Sequence, residues 1–586
     1  MPFCLAVSII VYMKRGCTPR ALRAVGCLPI KAVNRGFTLC SLFCYYVYRM
    51  KKLIACCFLL FLITTLNAQE YISVPLDNSA YDFIEMGVLR GIITPPPSAK
   101  PWSVNVVNKK LWEMMIDPEE VLSSKEMDML ELVYESFESK EELDFLYSWE
   151  SRFAVYAPDT SVSSVNIAKL SLRGDLAGFM SWDVTALGEF LYIKRDMSGV
   201  PSMFPYTMSK MWDGGVLSLR NPKDHYAWPD DPSLAIGLQG ELSGVLIDQL
   251  IQFRFGRLRR DWGSGTSGSS LFMNAQTSPF LAIEGVYSPL SWLDITFLTG
   301  VTEYYQNQNQ STEDDSFFNN LLSAVQFEIN PLRYIYFNIG GSAVWLYQVN
   351  LAAFGNMELR IPGILKVWGS LFVDRLDSSP GNFPVTNGNS YAYQAGIKTV
   401  VNWLTFGAFT FRYTKIAPYC YTAAYDGYGG RRPSSMSAFV SGGESLGYYM
   451  PPNSDEFLFR LEAMILSDLK THIQFQMLHH GADYGYGSVP GSSLTDRLSD
   501  ASSQKSFLED GVYRWNNVFK LGASYKFMVG IIPVSVFVET GYVTTSFTIN
   551  GNAGVGNAAD YHSFSDSVYR AGKGVIFSFG FRLFPR

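Results

Sequence analysis

Eighteen short stretches of alternating apolar and polar residues occupy residues 151–584, and the gaps between them alternate in length, short then long. In the last stretch Val575, Phe577, Phe579, Phe581 and Leu583 share one face, opposite Ser578, Gly580 and Arg582. Leu365, Val367, Leu371 and Val373 likewise oppose Lys366, Ser370 and Asp374, and Ile473, Phe475 and Met477 oppose His472, Gln474 and Gln476. A period of two means strands with one face turned to each of two environments. A soluble sandwich alternates too, so the connections carry the discrimination. Pro289-Leu290, Asn330-Pro331-Leu332, Pro362-Gly363 and Val529-Gly530 leave room only for tight turns, whereas 196–232, 305–317, 377–390, 419–454, 481–512 and 550–573 are long. Short turns at one rim and long loops at the other are the pattern of outer-membrane barrels, and an even count returns both ends to the short-turn side. The expected class is all-β, a transmembrane antiparallel β-barrel of about 18 strands over residues 151–586. The first strand is placed near 151–158 and the sixth over 271–288. Inward-pointing Trp368 and Phe372 suggest a filled interior.

Residues 69–150 have a different period. Asp77 or Asn78 can cap a helix toward Arg90 that stops at Gly91, Ser103 can open a second through Met115, and Ser123 with Glu126 forms a capping box for a third. A small helical domain on the periplasmic side is expected. The acidic residues between Asp117 and Asp144 read as a solvated helix face.

Export is expected from the segment before it. Met50-Lys51-Lys52, the apolar run Leu53–Leu66 and Asn67-Ala68 form a signal peptide over residues 50–68, with an apolar run too short to span a bilayer as a helix. Residues 1–49 hold seven Lys or Arg, no Asp or Glu, and five of the eight cysteines, and are read as an extension upstream of a start at Met50. Without residues 1–68 the chain keeps 38 Lys and Arg against 53 Asp and Glu, a net charge of −15. That disfavours nucleic acid as a partner. Cys420 is the one cysteine left, so no internal disulfide can form.

Several segments resemble the Wzi-type capsule-assembly family of outer-membrane barrels. They are Tyr81-Asp82-Phe83-Ile84 through Leu89-Arg90-Gly91, Lys100-Pro101-Trp102, and Asp261-Trp262-Gly263-Ser264-Gly265 with Asn274-Ala275 and Ser278-Pro279-Phe280. Further on come Leu446-Gly447-Tyr448, Pro452-Asn453-Ser454-Asp455-Glu456 and His480-Gly481-Ala482. The motif residues are thus Trp262, Gly263, Gly265, Asn274, Pro279, Pro452, Asn453 and Asp455, with Ser264 where the family has proline. The resemblance implies an outer-membrane barrel with an N-terminal helical bundle that holds capsular polysaccharide at the cell surface. The partner it implies is surface polysaccharide; outer-membrane lipid follows from the barrel pattern, and the barrel assembly machinery from a terminal strand that ends at Phe584.

The residues themselves offer glycan-binding candidates in the long loops: Trp262, Tyr305, Tyr425, Tyr428, Arg431 and Tyr484. Aromatic faces stack on sugar CH groups, and polar neighbours bond hydroxyls. The same tyrosines suit the interfacial girdle of any such barrel, and Trp262 suits a loop folded against the rim. Gly443-Glu444-Ser445-Leu446-Gly447 matches a nucleophile elbow in letters, but that elbow needs a strand entering a helix. His479 and His480 point to opposite faces of one strand and cannot share a metal. A non-catalytic protein without cofactor or metal is therefore expected. A diffusion pore on the same scaffold is the alternative.

Overall fold

The computed structural model describes residues 70–583 apart from 196–232, 306–316, 375–389, 423–437, 482–490, 495–510, 551–571 and stretches of one to five residues elsewhere. Three helices come first: α1 (Ala80–Arg90), α2 (Val104–Ile116) and α3 (Ser124–Glu138). Their ends follow the local chemistry. Asn78 Oδ1 accepts the Ala80 N–H at 2.9 Å, and Gly91 closes α1 at φ 77°, where a side chain is costly. The capping box forms as the spacing requires: the Ser123 N–H donates to Glu126 Oε2 at 3.0 Å, and the Glu126 N–H to Ser123 Oγ at 3.4 Å. Among the described residues no helix is long and apolar enough to cross a membrane.

Eighteen strands then close into an antiparallel barrel. The first six are β1 (Leu143–Tyr156), β2 (Asp159–Leu176), β3 (Met180–Arg195), β4 (Ser233–Leu246), β5 (Ile251–Leu258) and β6 (Phe280–Leu290). The next six are β7 (Leu293–Tyr305), β8 (Phe317–Leu332), β9 (Ile335–Val344), β10 (Asn350–Ile361), β11 (Leu365–Asp374) and β12 (Ser390–Val400). The circuit ends with β13 (Ala408–Ile416), β14 (Ser454–Leu466), β15 (Leu469–Gly481), β16 (Gly511–Val529), β17 (Ile532–Asn550) and β18 (Gly572–Leu583). Closure is made at β1, where Phe153 lies opposite Val162 on one side and Phe577 on the other.

The period of two sorts the faces as expected. Val367, Leu371, Val575 and Phe577 are 41–50% exposed on the outer wall, whereas Lys366, Trp368, Phe372 and Ser578 are 0–3% exposed inside. An apolar outer surface of this extent is stable only against lipid.

Two strands depart from the sequence expectation. The first opens at Leu143, because Leu143, Phe145, Tyr147 and Trp149 already alternate and pair with Leu172, Leu170, Ala168 and Asn166. The sixth opens at Phe280. Residues 271–279 lie in a loop, and Leu271, Phe272 and Met273 are all buried together, which a strand with alternating faces does not allow.

Candidate functional site

The interior is occupied from both ends. From the short-turn rim, residues 70–103 run along the inner wall. The Ser243 hydroxyl donates to the Tyr71 carbonyl (2.6 Å), Ser73 Oγ donates to Glu241 (2.7 Å), and the Ser98 N–H donates to Glu328 (2.7 Å). Helix α1 seals the mouth. Glu85 lies between the inward ammonium groups of Lys366 and Lys398, 3.2 Å from each. Burial pushes its carboxyl up, but those two cations and Lys100 outweigh it and hold the pKa at about 2. The capping-box Glu126 also binds Arg90 at 2.8 Å and accepts the N–H of Phe406 from the β12–β13 turn at 3.0 Å. The Gly363 N–H donates to the Leu89 carbonyl (3.1 Å), tying another short turn to the helix.

From the long-loop rim, residues 259–279 fold down into the lumen. Arg260 Nε sits 2.9 Å from Glu284, and its guanidinium covers the Phe280 ring. Asp261 and Trp262 form a two-residue antiparallel ladder with Lys100 and Ala99, so the two inserted segments meet inside the barrel. Lys100 Nζ is 3.8 Å from Asp261, whose pKa is nevertheless raised by burial. Phe272 stacks on inward Phe354 at 4.2 Å, with Phe372 beyond it. Asn274 holds the loop's shape, its amide donating to the carbonyls of Gly268 (2.8 Å) and Ser270 (3.0 Å).

A third layer lies over the second. The Asn274 N–H donates to the Leu446 carbonyl (2.9 Å), Thr277 Oγ1 to the Ser445 carbonyl (2.9 Å), and the Tyr421 hydroxyl to the Leu271 carbonyl (2.6 Å). Phe439 meets Phe372 edge-on at 5.6 Å. Asn453 fastens this layer to the rim. It takes φ 60°, donates from Nδ2 to Ser492 Oγ (3.0 Å), and accepts the Tyr513 hydroxyl at 3.4 Å. Beneath it Arg412 bonds Tyr448 (2.5 Å) and Glu456 (3.2 Å), and Tyr448 also donates to Glu456.

The motif residues therefore have specific places. Trp262 is fully buried with its ring edge-on to Phe272, and Gly263 is pressed against Ser270, where a Cβ would come 3.0 Å from the Ser270 Cβ. Asn274 and Asn453 are loop clamps, Pro452 is buried beside Asn453, and Pro279 leads into β6. Asp455 faces outward near the long-loop rim, accepting the Tyr413 hydroxyl (3.1 Å) with His479 Nδ1 2.5 Å away. His480 faces the other way, its Nε2 3.0 Å from the Ser492 carbonyl, as strand alternation requires. Gly265, Tyr425, Tyr428, Arg431 and Tyr484 lie outside the described residues, as does the side chain of Tyr305, the last residue of β7. Ser445 ends a two-residue ladder with Val440 and Ser441, and its Oγ accepts the Gly447 N–H at 3.1 Å; among the described residues no helix follows it. The aromatic filling by Phe272, Tyr421 and Phe439 was not anticipated. Its one visible signal is Phe372 and Trp368 pointing inward, since an inward aromatic needs something to pack on.

No family model matches the chain, and no curated protein matches it. Among solved structures it is similar to Wzi, an outer-membrane protein involved in group 1 capsule assembly in Escherichia coli and described as a carbohydrate-binding β-barrel. The identity is 12%, with 87% of this chain and 99% of that one covered at a TM-score of 0.51. Pseudomonas aeruginosa OccD3 (12% identity, 75% and 91% covered, TM-score 0.39) and OprD (10%, 75% and 94%, 0.40) are also similar. At such identities the likeness is one of fold.

Proposed function

We propose that this protein is an outer-membrane barrel that binds surface polysaccharide, of capsular type, through the loops at its long-loop rim, without catalysing a reaction. The observation that carries the reading is the layered interior. Two loop layers are folded down and cross-bonded at Asn274–Leu446 and Tyr421–Leu271, above a helical seal. A rigid, hydrogen-bonded loop platform preorganises a surface for a polymer outside the cell. The carbohydrate-binding description of the E. coli barrel it resembles in fold supports the same choice. In this reading a signal peptide over residues 50–68 delivers the chain for insertion by the barrel assembly machinery into outer-membrane lipid. Tyr305, Tyr425, Tyr428, Arg431 and Tyr484 supply sugar contacts around the platform, while buried Trp262 supports it from below.

A second reading, a small-solute pore, draws on one feature. On the β15–β17 side, inward His472, Glu539 and Lys520 lie together, with Lys520 3.1 Å from Glu539 and His472 3.5 Å, and His472 and Glu539 keep 22% of their side chains exposed. Two measurements separate the readings. Cells deleted for the protein should shed surface polysaccharide that wild-type cells retain, and the purified barrel should give no large ohmic steps in a planar bilayer. Equal retention in both strains overturns the binding reading, and stable large steps establish the pore.

A further inference from the structure

The lipid-facing wall carries a charged row near its long-loop edge. Strand β13 has 9 residues, a length that just crosses the apolar layer of a bilayer. Lys415, its second-last residue, shares the outward face with Phe411 and Tyr413 and so stands at the level of the outer head groups. Its register partners are Tyr393 on β12 and Asp455 on β14, and Asp455 is in turn the partner of His479 on β15. Charge on such a wall is costly and is kept where it has a partner. The Asp455 carboxylate is enclosed, with the Tyr413 hydroxyl at 3.1 Å and His479 Nδ1 at 2.5 Å, and the residue is 4% exposed. Lys415 is only half-buried, so of the two charges it is the one that a lipid meets.

A ladder of tyrosines surrounds that ammonium. Lys415 Nζ lies 5.9 Å from the centroid of the Tyr393 ring, and Tyr393 stacks with Tyr391 at 6.3 Å and meets Tyr413 at 6.0 Å. Toward the midplane the same face turns to hydrocarbon, with Tyr413 on Phe457 (4.5 Å) and Phe411 on Phe459 (4.8 Å). An aromatic girdle accounts for the tyrosines, but it does not call for a cation set among them. The set fits a head group of sugar and phosphate above acyl chains. Tyrosine faces and hydroxyls suit the sugar, an ammonium makes a charge-assisted bond to the phosphate, and the phenylalanines lie against the chains. Because the patch is continuous with the lipid-facing wall, its occupant is a lipid of the outer leaflet. We propose that Tyr391, Tyr393, Tyr413 and Lys415 form a binding site on the outside of the barrel for the phosphorylated sugar head group of such a lipid. The site is separate from the rim loops and does not depend on the polysaccharide-binding reading.

The test titrates the full-length barrel, purified in detergent and washed free of lipid, with lipid A as the probe. Bound lipid is counted by native mass spectrometry, and heat-modifiable mobility checks folding. Lipid A stripped of its phosphates and phosphatidylethanolamine, which lacks the sugar, are the comparison lipids; the wild-type barrel is expected to prefer lipid A over both. Lys415→Gln should stay folded and bind lipid A about tenfold more weakly, the loss of one charge-assisted bond, with its binding of the phosphate-free lipid unchanged. Lys573→Gln removes an exposed lysine on the outward face of β18, five strands further round, and should bind as wild type does. Should Lys415→Gln fail to fold, Tyr393→Ile, which suits a strand but removes the ring beside the ammonium, decides in its place by weakened lipid A binding. Equal wild-type binding of the three lipids, undiminished lipid A binding by the folded variant, or an equal loss in Lys573→Gln each overturns the site.

Discussion

Asn453 does at one position what a loop tip usually spreads over several. Its φ of 60° is a conformation that Asn tolerates better than most residues, and its amide reaches Ser492 while its carbonyl oxygen accepts Tyr513. Asn453→Ala keeps the backbone demand and removes these bonds and the one from Nδ2 to the Gly481 carbonyl (3.4 Å), so it should cost about 1–3 kcal/mol. Protease should then cut the long loops earlier while the barrel keeps its heat-resistant mobility. On the outer wall, Phe579→Lys should destabilise by about 2–4 kcal/mol in a lipid refolding titration if that site lies near the bilayer midplane. Ser578→Lys points inward with Glu539 as its register partner and should cost less. Equal costs would mean that the faces are assigned the wrong way round. Facing was legible because period-two alternation is local. A loop folded inward at Trp262 was legible too, but its depth and its pairing with Ala99 were not, because a side chain in a loop goes wherever the loop goes.

Among the elements, α1 depends most on charge. Removing Glu85 takes away the carboxylate 3.2 Å from both Lys366 and Lys398 in a buried mouth, where Lys398 keeps Glu462 at 2.9 Å, so Glu85→Ala should loosen α1 by on the order of 3 kcal/mol, read as faster amide exchange over Ala80–Arg90 at fixed pH. The pH dependence has a defined sign. A carboxyl held at about 2 in the folded state, against ~4.3 unfolded, stabilises fully above the unfolded value and loses that contribution as pH falls toward 2. Protection of the α1 amides relative to their intrinsic exchange rate at each pH should therefore fall between about pH 4 and pH 2, and unchanged protection across that window would remove Glu85 from the account. The helices themselves were legible from caps such as Ser123–Glu126. Their docking was not, since Glu126 meets Phe406 from 280 residues away. The start of β6 was misplaced for a related reason: Leu271–Met273 has strand-like composition, and only the tertiary site shows that all three side chains are buried.

At the scale of the molecule, strand number and alternating connections followed from turn residues and period, both local properties. What fills the cylinder did not, apart from the hint from Trp368 and Phe372, because the filling pairs residues distant in sequence. That filling has a measurable consequence. Deleting Leu271–Met273 takes away the stack on Phe354 and the acceptor for Tyr421, and should give ion conductance in a planar bilayer where the intact barrel gives little. Unchanged conductance would show that other segments close the lumen.

The meeting of Ala99–Lys100 with Asp261–Trp262 bears on how such an object is made. Its two halves enter from opposite rims, and the wall around them closes only when β18, the last of the eighteen strands in chain order, reaches β1. A finished cylinder would have to admit the earlier segment past α1 and the short turns. The simplest history is that the wall is wrapped around its contents: the sheet curls about residues 70–103, and the final strand fastens a chamber already furnished.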